Sequence, residues 1–206
     1  MPTTSAQVEN VFINCPFDPE YRDIFRSIVF TVICAGLVPR CALEAPDSMS
    51  VRLDRIVGLI RDCKYAIHDI SRVELDANGL PRFNMPFELG LYFGAKHFGN
   101  KNHKCKECLI LDKERYRYQK FLSDLSGCDP VAHGNDVKKA IRSIRDWLVG
   151  SSKVDKMPSH VRIHDAYQKF DREFKEGCTE EPDLYEKIPY VEFTKNISNW
   201  IEQNPF

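Results

Sequence analysis

The sequence predicts an α/β protein: a five-stranded parallel sheet of order 2-1-3-4-5, covered by helices on both faces, with a C-terminal helical appendage. Two observations carry this prediction. Short apolar runs alternate with amphipathic helical stretches five times between residues 8 and 150. Strands that are apolar throughout belong to parallel sheets buried on both faces. Beyond Gly150 the strands stop: "SSKVDKMPSH" reads as a linker, and two amphipathic helices follow it. The division is therefore 1–150 for the α/β domain and 151–206 for an appendage packed on the same domain.

The elements follow in order. "VENVFINC" (8–15) is a β-branched apolar run halted by "PFD", and is strand one. "PEYRDIFRSIVFTVICAGL" carries Pro19 near its first turn and Ile24, Ile28, Val32 and Ala35 along one helical face, with Gly36 as terminator. "LVPRCALE" is a short strand at a sheet edge, because Pro39 has no N–H to give a neighbour. "SMSVRLDRIVGLIRDC" is an amphipathic helix, with Val51, Ile56, Leu59 and Ile60 facing one way and Arg52, Arg55 and Arg61 on other faces. "KYAIHDIS" is strand three, with Asp69 at its carboxyl end. The loop "RVELDANGLPRFN" has turn chemistry in Asn78-Gly79 and Pro81. The helix containing Glu88 comes next, then strand four, "ECLILD", and a further helix, "RYRYQKFLSDL". "DPVAHG" holds a short fifth strand, and "NDVKKAIRSIRDWLVG" is a helix capped by Asn135 and ended by Gly150. "VRIHDAYQKFDREFKEG" and "VEFTKNISNWIEQ" are the appendage helices. This strand order is the flavodoxin-like one.

The bulk properties exclude several classes. A length of 206 residues supports one sizeable core. A net charge of −1 argues against a polyanion-binding surface, so direct nucleic-acid binding is not expected. No apolar run approaches the roughly 20 residues a membrane helix needs. "MPTTSAQVEN" lacks the basic start and apolar stretch of a signal peptide, and a cytoplasmic location is expected. Of eight cysteines, Cys15, Cys34, Cys41 and Cys63 lie in or beside apolar segments and read as reduced small hydrophobes. Cys105 and Cys108 have metal-ligand spacing with His103 close by. No second pair accompanies them, so a loop entering a buried strand is the preferred reading, with neither metal nor cofactor expected.

In an open parallel sheet, ligands bind beyond the carboxyl ends of the strands where strand order reverses. Here that point lies between strands one and three. Strand one delivers Asn14, Cys15, Phe17 and Asp18; strand three delivers His68, Asp69 and Ser71; the next loop and helix deliver Asn84 and Glu88. Asp69 and Glu88 are expected to converge on this crevice. "NCPFDPEY" has no glycine, which disfavours a phosphate-cradling loop. No glycine-flanked serine elbow appears, and Cys15 has no assigned base. Plainer readings stand beside the catalytic ones. Glu88 suits a helix start through the helix dipole, and Asp69 suits a loop cap. Arg52 and Arg55 are either a solvated helix face or phosphate contacts. His133 reads as a loop residue, and "YRYQKF" as packing.

"VFINCPFD", "AIHDIS" and "NMPFELGLYFGAK" together resemble nucleoside 2-deoxyribosyltransferase-like proteins, which share a superfamily with bacterial TIR-like domains; the likeness spans roughly residues 8 to 149. The resemblance implies cleavage of an N-glycosidic bond in a nucleotide, nucleoside or NAD-like substrate, with Glu88 as nucleophile or stabiliser of an oxocarbenium-like state. It implies that Asp69 and Asn14 orient the sugar. Phe17 or Phe83 would stack on a base, and Arg52 would meet a phosphate. Asp18, Ser71 and Asn84 would complete the substrate-binding set. It also implies two alternatives, a nucleotide sensor without turnover and a TIR-like adaptor. A homo-oligomer or a partner protein in a bacterial defence system is implied at the same level.

Overall fold

The computed structural model describes residues 9–44, 51–75, 79–152, 154 and 156–206. The predicted strand start at Val8 and the Asn78 half of the turn lie outside the described residues. Five parallel strands form one sheet: β1 (Asn10–Asn14), β2 (Val38–Arg40), β3 (Tyr65–Asp69), β4 (Glu107–Asp112) and β5 (Val131–Ala132). Their order is β2-β1-β3-β4-β5, the flavodoxin-like arrangement. In the register, Asn14 lies opposite His68 and Asp69 opposite Leu111. Pro39 sits in β2 at the sheet edge, where a missing donor costs no ladder bond.

Successive side chains on a strand point to opposite faces, and the core divides accordingly. On one face, Val11, Ile13, Tyr65, Ile67 and Leu111 pack with α1 (Arg22–Cys34) and α5 (Val137–Ser151). On the other, Phe12 and Ala66 meet Ile56, Leu59 and Ile60 of α2 (Arg52–Asp62), while Ile70 and Ile110 meet Met85 and Leu89 of α3 (Asn84–Phe98). A short α4 (Lys101–Lys104), capped by Asn100, leads into β4. Buried Lys106 follows it and donates through Nζ to Ile60 O and Cys63 O, closing the carbonyl end of α2.

The C-terminal part comprises α6 (His160–Gly177), α7 (Pro182–Lys187) and α8 (Tyr190–Gln203). Ile163, Phe170, Phe193 and Ile197 join the same apolar cluster as α1 and the sheet. This cover leaves α1 buried around its whole circumference, including Ser27 and Thr31. Their hydroxyls are satisfied within the helix, Ser27 Oγ on Ile24 O at 2.8 Å and Thr31 Oγ1 on Ser27 O at 2.7 Å. Among the described residues no helix is long and apolar enough to cross a membrane.

Local differences from the sequence reading have local causes. "RYRYQKFLSDL" is not one helix but two 3-10 turns, Arg117–Lys120 and Ser123–Leu125. Tyr116 stands at φ 61° before the first, and Arg117 is held back against the sheet by Asp112. Asp136, not Asn135, caps α5, through a bond from Lys139 N at 3.0 Å. Asn135 instead takes the left-handed conformation at φ 57°, which asparagine tolerates. Val51 caps α2 and is exposed rather than part of its buried face.

Candidate functional site

The carboxyl edge between β1 and β3 holds the polar residues that the sequence reading named, but strand alternation divides them. Asn14 and His68 point to the α2–α3 face, and Asp69 to the α1–α5 face. Their partners bear this out.

On the α2–α3 side, Glu88 occupies the second turn of α3 and is 5 % exposed. The first turn of α3 contains no acid, so the helix-start reading of Glu88 fails. Burial pushes the Glu88 carboxyl up to about 7, and Arg52 pulls the other way, its Nη2 lying 3.9 Å from Oε1. The Arg52 side chain is half exposed, so this cation faces solvent on one side and the buried acid on the other. Asn14 donates through Nδ2 to His68 Nδ1 at 2.9 Å and to Met85 O at 3.2 Å, tying β1 to the first turn of α3. With Nδ1 accepting, the ring hydrogen of His68 belongs on Nε2. Burial alone drives the His68 imidazolium down to about 3. Asn14 Oδ1 and His68 Nε2 have no hydrogen-bond partner among the described residues. Two buried polar atoms at the ligand edge are thus left uncommitted.

On the α1–α5 side, Asp69 is fully committed. Oδ2 accepts from Tyr21 Oη at 2.5 Å and lies 2.9 Å from His133 Nε2, and Oδ1 accepts from Ser71 N at 2.8 Å. Ser71 Oγ also lies 2.9 Å from His133 Nε2. Ser71, His133 and Asp69 are thus adjacent and buried, yet they are not a nucleophilic triad. Serine and aspartate share one ring nitrogen, while Nδ1 accepts from Asn135 N at 3.0 Å. A relay needs them on opposite nitrogens. Next to this group Arg117 donates through Nη2 to Ser71 O and to Asp112 Oδ1, both at 2.6 Å, and through Nη1 to Glu74 Oε1 at 3.0 Å. It clasps the end of β3 to the end of β4. The expected meeting of Asp69 with Glu88 is therefore corrected in form: the two carboxylates lie on opposite faces because the strand period is two. Their fields still overlap at Cys15, whose thiol is pushed well up by burial and then by Asp69, Cys41, Glu88 and Asp18. A thiol so disfavoured as thiolate is a poor nucleophile.

The remaining candidates occupy the approach. Asp18 accepts from Tyr21 N at 3.1 Å and Arg72 Nη2 at 2.8 Å, with Arg82 Nη1 at 3.7 Å. Asp18, Arg72 and Arg82, together with Glu20, Glu74 and Leu75, line a cleft of 370 Å³. Phe17 packs edge-on against Phe25 and lines a different cleft, on the α1 side. Asn84 is the exposed first residue of α3. Neither cleft includes Glu88 among its lining residues. Cys105 is exposed and Cys108 half-buried on β4. Among the described residues no group of three or more His, Cys, Asp or Glu is placed to hold a metal ion.

Tyr21 and Arg117 were not foreseen as part of the site; His133 is a loop residue after β5, as expected, but a fully buried one against Ser71 and Asp69. The alternation in "YAIHD" was a legible sign that Asp69 and His68 face opposite ways; the distant partners had no local signal. Fold and edge together define a doubly wound parallel α/β protein with a buried acid on one helix and a saturated aspartate hub on the other face. No family model matches this chain, and no curated protein matches it.

Proposed function

We propose that the chain cleaves an N-glycosidic bond in a nucleotide, nucleoside or NAD-like substrate, as its resemblance to the deoxyribosyltransferase-like and TIR-like proteins implies. The observation that carries this reading is Glu88: a nearly buried carboxyl at the ligand edge, raised to about 7 and countered by one half-exposed arginine at 3.9 Å. An acid in a dry site interacts strongly with a developing oxocarbenium charge. Arg52 is the contact for a phosphate or pyrophosphate, and Asn14 Oδ1 the acceptor for a sugar hydroxyl. Phe83, 60 % exposed beside the start of α3, is the base-stacking candidate. Asp69 and Ser71 act as positioning residues in this scheme, since their side chains already have protein partners. Asn84 remains the candidate for the approach to the site, whereas Phe17 and Asp18 line clefts that do not include Glu88.

That saturation of Asp69 favours one second reading, a nucleotide-sensing or adaptor module with no turnover, because one of the two expected carboxylates is already held by protein donors. Mass-spectrometric product analysis separates the two. Purified chain and Glu88→Gln are incubated with NAD, ATP, nucleosides and deoxynucleotides. Base release by the unaltered chain, abolished in the variant, supports cleavage at Glu88. A nucleotide that binds and remains intact in both supports the sensor.

A further inference from the structure

A second cleft, of 330 Å³, opens on the α1 face of the sheet, away from Glu88. Its apolar walls are Phe17 after β1, Phe25 of α1, Leu43 after β2, and Ile188, Tyr190 and Phe193 from the α7–α8 junction. Arg22 and Arg26, one turn apart on α1, line it with Lys187; Asp18 and Glu186 are its acids. The cleft is thus built half by the α/β part and half by the C-terminal helices.

The arginines carry the argument. Arg26 is 3 % exposed, a depth at which a cation needs partners. Its Nη2 donates to Tyr185 O, and its guanidinium lies over the Tyr185 ring at 4.3 Å and the Phe193 ring at 5.1 Å. Among the described residues its Nη1 has no hydrogen-bond partner, and Asp171 Oδ1 is 3.8 Å away. Arg22 Nε is likewise buried with no hydrogen-bond partner among the described residues, with Glu186 Oε1 at 3.6 Å from Nη1 and Asp23 Oδ1 at 3.9 Å from Nε. Both guanidinium groups therefore sit in long ion pairs with donors to spare, at the positive end of a 13-residue helix. Glu186 is exposed, so an incoming anion can displace it from Arg22 at small cost.

We propose that this cleft is a second ligand site, which takes a small organic anion: a flat aromatic or heteroaromatic body bearing one phosphate or carboxylate. The ring lies against Phe17 and Tyr190, and the anionic group meets Arg22 in place of exposed Glu186, with the Arg26 guanidinium as a second positive charge behind it. Because one wall is the α7–α8 junction, a bound ligand braces the C-terminal helices against α1. The site is independent of the glycosidic-cleavage reading and of Glu88.

The test uses the full chain with phenyl phosphate and benzoate as probes, and phenol and inorganic phosphate as controls for ring and charge alone. Binding is read by titration calorimetry and by the shift of the thermal unfolding midpoint. Leu43→Trp narrows the mouth at a partly exposed rim position, and Arg22→Gln removes one anion contact without touching buried Arg26. The expected result is saturable binding of at least one anionic probe, a raised midpoint, about tenfold weaker binding in Arg22→Gln, the weight of one charge-assisted hydrogen bond, and weakened binding in Leu43→Trp. Phenol and inorganic phosphate bind more weakly than the probe that joins ring and charge. Glu88→Gln binds as the unaltered chain does. Absence of saturable binding by both anionic probes at millimolar concentration overturns the proposal, as does binding that both variants leave unchanged.

Discussion

Tyr21 donates its phenolic hydrogen to Asp69 Oδ2 at 2.5 Å, joining the residue before α1 to the last residue of β3 across 48 positions of sequence. Burial, and then Asp69, hold the Tyr21 hydroxyl far above the usual phenol range, so the hydrogen stays on tyrosine. The bond is buried and charge-assisted, which makes it strong and makes its loss costly.

Tyr21→Phe leaves Asp69 Oδ2 without its hydroxyl donor, with His133 Nε2 2.9 Å away. The expected loss is about 1–3 kcal/mol of folding stability, read from urea unfolding with an unchanged m-value. A loss below about 0.5 kcal/mol would mean that Asp69 does not depend on this donor.

Glu88 should make stability fall as pH rises. Its carboxyl is raised from 4.5 to about 7 by burial, against the pull of Arg52. Between those values the folded chain holds a proton that the unfolded chain has released, so unfolding is increasingly favoured with each step up in pH. The effect reaches at most about 3 kcal/mol and levels off above the folded value. Glu88→Gln removes it, and the variant should be the more stable protein at pH 8. Urea midpoints of both proteins at pH 5 and pH 8 decide the matter: parallel changes in the two would deny that Glu88 is the group concerned.

Arg52→Gln takes away the cation that, among the described residues, lowers Glu88. The Glu88 side-chain carboxyl, followed by carbon NMR, should then titrate at higher pH than in the unaltered chain. Any base-releasing activity that needs the carboxylate should have its rising limb displaced the same way. An unmoved titration midpoint would show that the 3.9 Å pair has no electrostatic weight in solution.

Arg117→Met breaks a nearly buried pair with Asp112 and frees two carbonyls, Ile70 O and Ser71 O. Removing one partner of such a pair costs about 3–5 kcal/mol. Arg117→Lys should recover little, because one ammonium cannot span Asp112, Glu74 and two carbonyls at once. Full recovery by lysine in chemical unfolding would reduce the clasp to simple charge pairing.

How much of this was legible beforehand follows from range. The five strands and their order were readable because each apolar run is short and local, and Pro39 marks an edge on its own. The 3-10 turns after β4 were not, because "RYRYQKFLSDL" has helical composition and ties to other segments hold it back, Arg117 to Asp112 and Ser71 O and Tyr118 to Cys128 O. Asp69 and Glu88 were both placed at the ligand edge, yet their division between two faces was missed. The alternation in "YAIHD" places Asp69 with Ile67 and His68 with Ala66, but does not say which helices cover each face.

By itself the sequence determined the strand pattern, the sheet order it implies and the residues at the carboxyl ends of β1 and β3, since these follow from hydrophobic periodicity and turn chemistry along short stretches of chain. Only the tertiary structure decided which of those residues have free chemistry. Tyr21, Ser71 and His133 come from three segments to saturate Asp69, whereas Glu88 meets a single half-exposed arginine and Asn14 keeps an uncommitted oxygen. Hydrogen-bond partnership is a property of distances between remote segments, and packing, not local pattern, sets those distances.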